Sequence, residues 1–239
     1  MSAGHLEALL LVQERDTTLD QLRHRRAALP ARAELEACDA NLRAAVAGRE
    51  EVAGRRDKLA SEERRFDDEA RSVTAHAKSV EEKYYSGTVT SPRELQAMQA
   101  DLDMLKRQVS QLEDRELEIM EQREALDAEV AGFDARISTS EAEAAALREQ
   151  IASAEAEIDA EIESEAAARA ECAAPLAPAL VADYEKRRAQ NRGAGAARLT
   201  GSTCGACHLT VPSTEAERIR KLPDGEVGYC DNCSAILVP

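Results

Sequence analysis

Apolar side chains recur along this chain with the steps of a coiled coil rather than those of a globular core. Val52, Leu59, Phe66, Val73 and Val80 fall every seven positions, which draws one seam along a helix. The companion positions Arg56, Glu63, Ala70, Ala77 and Tyr84 are poorer in apolar residues. Upstream, Leu19, Leu22, Leu29, Leu35, Leu42 and Val46 continue the stripe. Pro30 lies within it and should end or kink the helix, since proline lacks the amide hydrogen and crowds the preceding turn.

The second run is stronger. Leu95, Leu102, Val109, Glu116, Arg123, Val130, Ile137, Ala144, Ile151 and Ile158 interleave with Met98, Leu105, Leu112, Ile119, Leu126, Phe133, Ser140, Leu147, Ala154 and Glu161, and sixteen of these twenty are apolar. A pattern kept over that length predicts a coiled-coil strand. Between the runs, Gly87 suits the left-handed end of a helix. Ser91, Pro92 and Glu94 supply an N-cap, a first-turn proline and a capping-box glutamate.

A short turn makes the two helices antiparallel. With its centre near residue 89, opposed positions total about 178 and the arms match in length, spanning roughly 125 Å if unbroken. This register sets Gly48 opposite residue 130 and Gly132 opposite Val46. With Gly54, Arg123 and Glu116 close by, it predicts a bend or loosened packing through 46–54. The organisation expected is mainly α: an antiparallel coiled-coil hairpin over 1–192, with its tip near 86–91 and a short terminal helix at 178–191. Gly193-Ala194-Gly195 reads as a hinge, and 196–239 as a separate module beside the N-terminus.

That module holds Cys204-Gly205-Ala206-Cys207, twenty-two further residues, then Cys230-Asp231-Asn232-Cys233. Each C-x-x-C can wrap as a knuckle that aims two thiolates at one point. Two knuckles complete the closed tetrahedron that a structural Zn²⁺ favours. Disulfides, a redox C-x-x-C and an iron–sulfur cluster are the competing chemistries, and His208 is an alternative ligand. A loop at Pro223-Asp224-Gly225 would return the second knuckle to the first. Forty residues hold too little core to fold alone, so one bound zinc should supply the folding free energy. Cys38 and Cys172 stand apart within helical sequence and read as seam or surface residues.

Composition narrows function. There is no Trp, about a third of the residues are charged, and the net charge is −15. Such a surface opposes wholesale wrapping by nucleic acid. The exception runs from Lys186 to Thr214, where Lys186, Arg187, Arg188, Arg192 and Arg198 meet no acidic residue. Residues 193–239 nevertheless carry four basic and five acidic side chains. No stretch reads as a signal peptide or a membrane span, so a cytoplasmic protein with no membrane partner is expected. The histidines are scattered and no nucleophile, phosphate loop or H-E-x-x-H is present, which argues against an enzyme and a small-molecule substrate.

Tyr84-Tyr85-Ser86-Gly87, Ser91-Pro92-Arg93-Glu94-Leu95-Gln96, the acidic run at Leu112-Glu113-Asp114, and the paired cysteines with Ile236-Leu237 carry a resemblance. Across nearly its whole length the chain resembles the bacterial C4-type zinc-ribbon proteins with a long N-terminal coiled coil. The resemblance implies an adaptor or regulator of the kind linked to the alternative sigma factor of RNA polymerase, to flagellar or type III export components, and to RNA. On that expectation Tyr84, Tyr85, Val89 and Arg93 form a partner-binding tip. Lys186, Arg187, Arg188, Arg192 and Arg198 are the residues that would contact nucleic acid in the alternative reading. Against these stand plainer roles: tyrosines that plug the end of the seam, and a charge run that is solvated or pairs with the acidic helices.

Overall fold

The computed structural model describes residues 3–223 and 226–239. Helix α1 (Ala3–Ala27) stops before Pro30, and α2 (Pro30–Tyr85) begins on it. Proline suits that place, because a helix's first amide has no acceptor to lose. The break is stitched by the Ala28 amide donating to the His24 carbonyl (2.9 Å) and the Arg32 amide to that of Leu29 (3.0 Å). Helix α3 (Pro92–Ala173) returns antiparallel to α2. In the turn Gly87 has φ +72°, and the Ser86 hydroxyl donates to the Lys83 carbonyl at 2.8 Å, closing the end of α2. Chain contacts define two compact units, residues 1–33 with 147–239, and residues 34–146.

Within α2 the heptad positions from Val52 to Tyr84 are all buried or half-buried. On α3 the same holds for every seam position except Glu161, which is exposed and pairs with Arg25 at 2.6 Å. After Ile158 the inward face takes a four-residue step to Ile162, as a straight helix of 3.6 residues per turn must eventually do against a 3.5 repeat. Val46 also falls outside, 37% exposed, while Ala45 takes the inward place.

The predicted register describes the backbone but not the ion pairs. Cys38 Sγ donates to the Ser140 carbonyl at 3.2 Å, on register. Arg49 meets Asp134 and Arg56 meets Asp127, each partner several residues further from the turn. The offset follows from helix geometry. Side chains lean towards their own N-terminus, so long ones on antiparallel neighbours lean oppositely and meet off level.

The loosened stretch expected at 46–54 is absent. Helix α2 runs through it unbroken, and Val52, Leu126 and Val130 form a buried cluster with Leu59 and Phe133 packed against it. The Phe133 ring occupies the space over Gly48, where a Cβ would lie 2.7 Å from it. The polar seam residue Arg123 is answered by Glu63 from the opposite seam. The glycine is filled and the charge is paired, so neither weakens the coil.

The residues expected to hinge at 193–195 are clamped, and the ribbon belongs to the same compact unit as residues 1–33 and 147–192. Helix α4 (Pro178–Gln190) leads into a four-stranded sheet, β1 (Ala196–Thr200), β2 (Thr203–Cys204), β3 (Gly228–Tyr229) and β4 (Ile236–Val238), with α5 (Ser213–Arg220) crossing between β2 and β3. The strand order is β2-β1-β4-β3, with β1 and β4 parallel and the outer pairs antiparallel. Leu9 and Val12 of α1, Leu176, Leu180 and Tyr184 share one core with Ala196 and Ile236 of the ribbon. Gln13 clamps the connection. Its Nε2 donates to the Gly193 carbonyl at 2.8 Å, and its Oε1 accepts from the Gly195 amide at 2.7 Å. Gly195 serves close approach rather than freedom, since a Cβ there would lie 2.6 Å from the Tyr184 ring.

Beneath that contact Asp16, 4% exposed, is the one buried carboxylic side chain among the described residues. It accepts from the Tyr184 hydroxyl at 2.7 Å and pairs with Arg169 at 3.1 Å, with Arg188 Nε at 3.7 Å. Burial and the Asp16 carboxylate both push the Tyr184 hydroxyl's pKa upwards, so it stays a donor.

Two sets of substitutions test this packing by denaturation of the zinc-loaded chain. Gly48→Leu should lower stability by about 2 kcal/mol through overpacking against Phe133. Gly54→Ala, where a Cβ meets nothing within 4 Å, should raise it by about 0.5–1 kcal/mol. Asp16→Ala should cost about 3 kcal/mol by leaving two half-buried guanidiniums facing one another, and Asp16→Asn, which keeps an acceptor for Tyr184, should cost less.

Candidate zinc centre

The four cysteines arise from two knuckles built alike. In the first, the His208 amide donates to the Cys204 carbonyl (2.9 Å) and the Cys204 amide to that of Leu209 (3.1 Å). In the second, the Ser234 amide donates to the Cys230 carbonyl (2.7 Å) and the Cys230 amide to that of Ala235 (2.9 Å). Each loop closes through a left-handed residue, His208 and Ser234, both at φ +62°. Parallel pairing of β1 with β4 sets the knuckles side by side, since β1 pairs with β2, which ends on Cys204, and β4 pairs with β3, which ends just before Cys230.

The Sγ atoms of Cys204, Cys207, Cys230 and Cys233 all lie within 4.8 Å of one another. Cys204–Cys233 and Cys207–Cys230 are each 3.8 Å apart. A tetrahedron of thiolates at about 2.3 Å from a zinc has edges of about 3.8 Å, whereas a disulfide needs sulfurs at about 2.05 Å. The four cysteines are therefore the ligand set of one structural zinc. Four thiolates already fill the tetrahedron and His208 is not among the clustered ligand atoms, so the alternative histidine ligand falls away. The return loop expected at 223–225 includes Asp224 and Gly225, which lie outside the described residues.

The thiols are unequal. Burial raises Cys204 and pushes Cys233 up to about 12. The Leu209 amide, facing the Cys207 sulfur, lowers that thiol. Around the sulfurs pack Leu199, Val211, Ala216, Ile219 and Leu237. Gly228 lets α5 close on this core, since a Cβ there would lie 2.6 Å from Ile219.

Hairpin and ribbon each match a known family. The model of the CT398-like coiled coil hairpin domain covers residues 12–192, and that of the C4-type zinc ribbon domain covers 203–237. This chain belongs to the CT398-like coiled-coil hairpin family. Relatives include two uncharacterized proteins of Mycobacterium tuberculosis, MT2288 and Rv2229c, each 32% identical over all of this chain and 97% of the relative. Among solved structures, one from Mycobacterium smegmatis is 28% identical with a TM-score of 0.71, covering 100% of this chain and 99% of its own. CT398 from Chlamydia trachomatis has the same fold at 18% identity, with a TM-score of 0.70 over 98% of this chain and 96% of its own.

The other candidate residues of this family member fall into two groups. At the tip, Tyr84 is half-buried at the end of the seam, while Tyr85 is 75% exposed. Their rings meet edge to face at 5.0 Å and 87°. Val89 is half-buried and Arg93 exposed. The basic segment is largely committed within its own unit. Arg187 pairs with Asp183, donates to the Ser234 carbonyl, and lies 3.8 Å over the Tyr229 ring. Arg188 pairs with Asp20 and Arg198 with Glu7. Lys186 and Arg192 are exposed.

Gln13, Asp16, Arg169 and Tyr184, which hold the ribbon in place, belong to no sequence motif. One local signal was present: Asp16 occupies the inward phase of α1 between Val12 and Leu19, where an apolar residue is expected.

Zinc binding must displace the protons of the buried thiols, so affinity rises with pH. With Cys204 and Cys233 raised above their ordinary value, competition with a chromophoric chelator should show affinity falling by at least about a hundredfold per pH unit as pH drops through neutrality, one factor of ten for each of these two protons and more for any other ligand thiol that is protonated there. Cys233→Ser should abolish stoichiometric zinc on metal analysis, and should release the ribbon's amides to rapid hydrogen exchange.

Proposed function

We propose that this chain is a non-enzymatic, zinc-binding coiled-coil adaptor that works through protein–protein contacts at the hairpin tip and the ribbon. Tyr85 carries the reading. Tyr84 alone closes the apolar seam, which leaves the second ring held in water by an edge-to-face contact and by the fixed Ser86–Gly87 turn. An exposed, pre-positioned aromatic costs little entropy to bury and makes a good interface anchor. Val89 in the turn and Arg93 in the first turn of α3 would add an apolar and a charged contact. The transcription or export machinery implied by the family resemblance supplies the first partners to test.

Nucleic-acid binding is the weaker reading. Three of its five cations, Arg187, Arg188 and Arg198, are spent on Asp183, Asp20 and Glu7, and four thiolates on one Zn²⁺ leave that centre negative.

Affinity capture from the native cell, with and without nuclease, separates the two. The expected result is a set of proteins retained through nuclease treatment and lost with the Tyr84→Ala, Tyr85→Ala double variant. Retention of every partner by that variant overturns the tip as the contact surface.

A further inference from the structure

The break between α1 and α2 makes room for a second surface, in the unit that carries the ribbon. There the loop after α4 faces the helix junction across an open cleft of about 800 Å³. Ala28, Leu29 and Pro30 give it apolar walls, and Gln21, His24 and Arg192 bring polar groups to it. The charges around it do not cancel. Asp20 is occupied by Arg188 and Arg23, and Arg25 is occupied by Glu161. No ion pair is found for Arg192 among the described residues, and its side chain is exposed. Arg192 and His24 both line this cleft, on a chain whose net charge is −15.

Arg192 is also held in place. Its backbone is left-handed, at φ +49°. The Gly193 amide donates to the Arg188 carbonyl (3.0 Å) and the Ala194 amide to that of Asn191 (3.0 Å), while Asn191 Nδ2 returns a bond to the Ala194 carbonyl (2.9 Å). With the Gln13 clamp on Gly193, the cation's mounting is fixed before any ligand arrives, and such preorganisation lowers the cost of binding.

We infer that this cleft docks an extended peptide segment of a partner protein, one that presents a carboxylate beside an apolar side chain. The carboxylate takes Arg192, with His24 as a second donor, and the apolar neighbour lies on Leu29 and Pro30. A small molecule suits it less, because such sites enclose most of their ligand, whereas these walls are open and their polar groups sit at the surface. Nucleic acid suits it less again, since one unpaired arginine and one histidine offer few phosphate contacts. The surface is independent of the tip and rests on none of its residues.

The full-length, zinc-loaded chain is screened against a random display library of short peptides, and selected peptides are labelled for fluorescence anisotropy. Enrichment of sequences joining an acidic residue to an apolar one is expected. Binding should weaken by about tenfold or more with Arg192→Glu, to a lesser degree with His24→Ala, and as salt is raised. Both positions are exposed, so folding is not at stake. Tyr84→Ala with Tyr85→Ala should leave the affinity unchanged, which keeps a failure of the tip reading distinct from a failure of this one. The proposal is overturned if no acidic-apolar sequence is enriched, if Arg192→Glu leaves the affinity within about twofold, or if polyaspartate competes as well as the selected peptides.

Discussion

A buried carboxylate is tolerable only where its lost hydration is replaced, and Asp16 meets that condition at one arrangement of three helices. Its partners come from the end of α3 (Arg169) and from α4 (Tyr184 and Arg188). Displacing any of them leaves a charge or a hydroxyl stranded. The arrangement therefore fixes where Tyr184 stands, and the Tyr184 ring fixes Gly195, the residue from which β1 departs. The ribbon is aimed by this chain of contacts before its metal is considered. Zinc then closes what the core cannot, because the buried cluster around the sulfurs is too small to hold four short strands unaided.

The remainder of the hairpin is held more thinly. Many of its seam positions are alanine or polar, each burying little area. Most of the ion pairs that cross it are exposed and contribute at most about 1 kcal/mol apiece. Alignment must come chiefly from the turn and from the few places where large meets small. Phe133 over Gly48 is such a place, because a one-step slip would drive the ring into a side chain or leave a hole. Glu63 with Arg123 is another, since each would be left half-buried and unpaired. Features that look like flaws along one helix become alignment marks once the second helix lies beside it.

This explains what could be read from the chain and what could not. The seven-residue recurrence, the Ser91-Pro92 helix start and the doubled C-x-x-C are local patterns whose physics is complete within a few residues, and they gave the hairpin, its turn and the metal ligands. Gly193-Ala194-Gly195 has the composition of a hinge, and only Gln13 and Tyr184 reveal it as a tight joint. Gly48 and Gly132 suggest weakness until Phe133 is seen to fill one of them. The exit of Glu161 from the seam depends on accumulated helical phase, which a fixed heptad ruler does not track. In each case the deciding contact is distant in sequence.

The electrostatics obey the same logic and bear on function. Five basic residues without an acid among them resemble a polyanion site when read in order. In the folded chain Glu7, Asp20 and Asp183 reach three of them, and two of these acids come from the opposite end of the sequence. An acidic protein that spends its cations internally becomes a poor ligand for phosphate, and its remaining free cations gain meaning. Arg192 keeps its charge beside an apolar cleft, and Tyr85 keeps an aromatic face in water. Exposure of an arginine is ordinary in itself; it is the place of Arg192 on an apolar cleft, and of the Tyr85 ring in water, that sets these two residues apart.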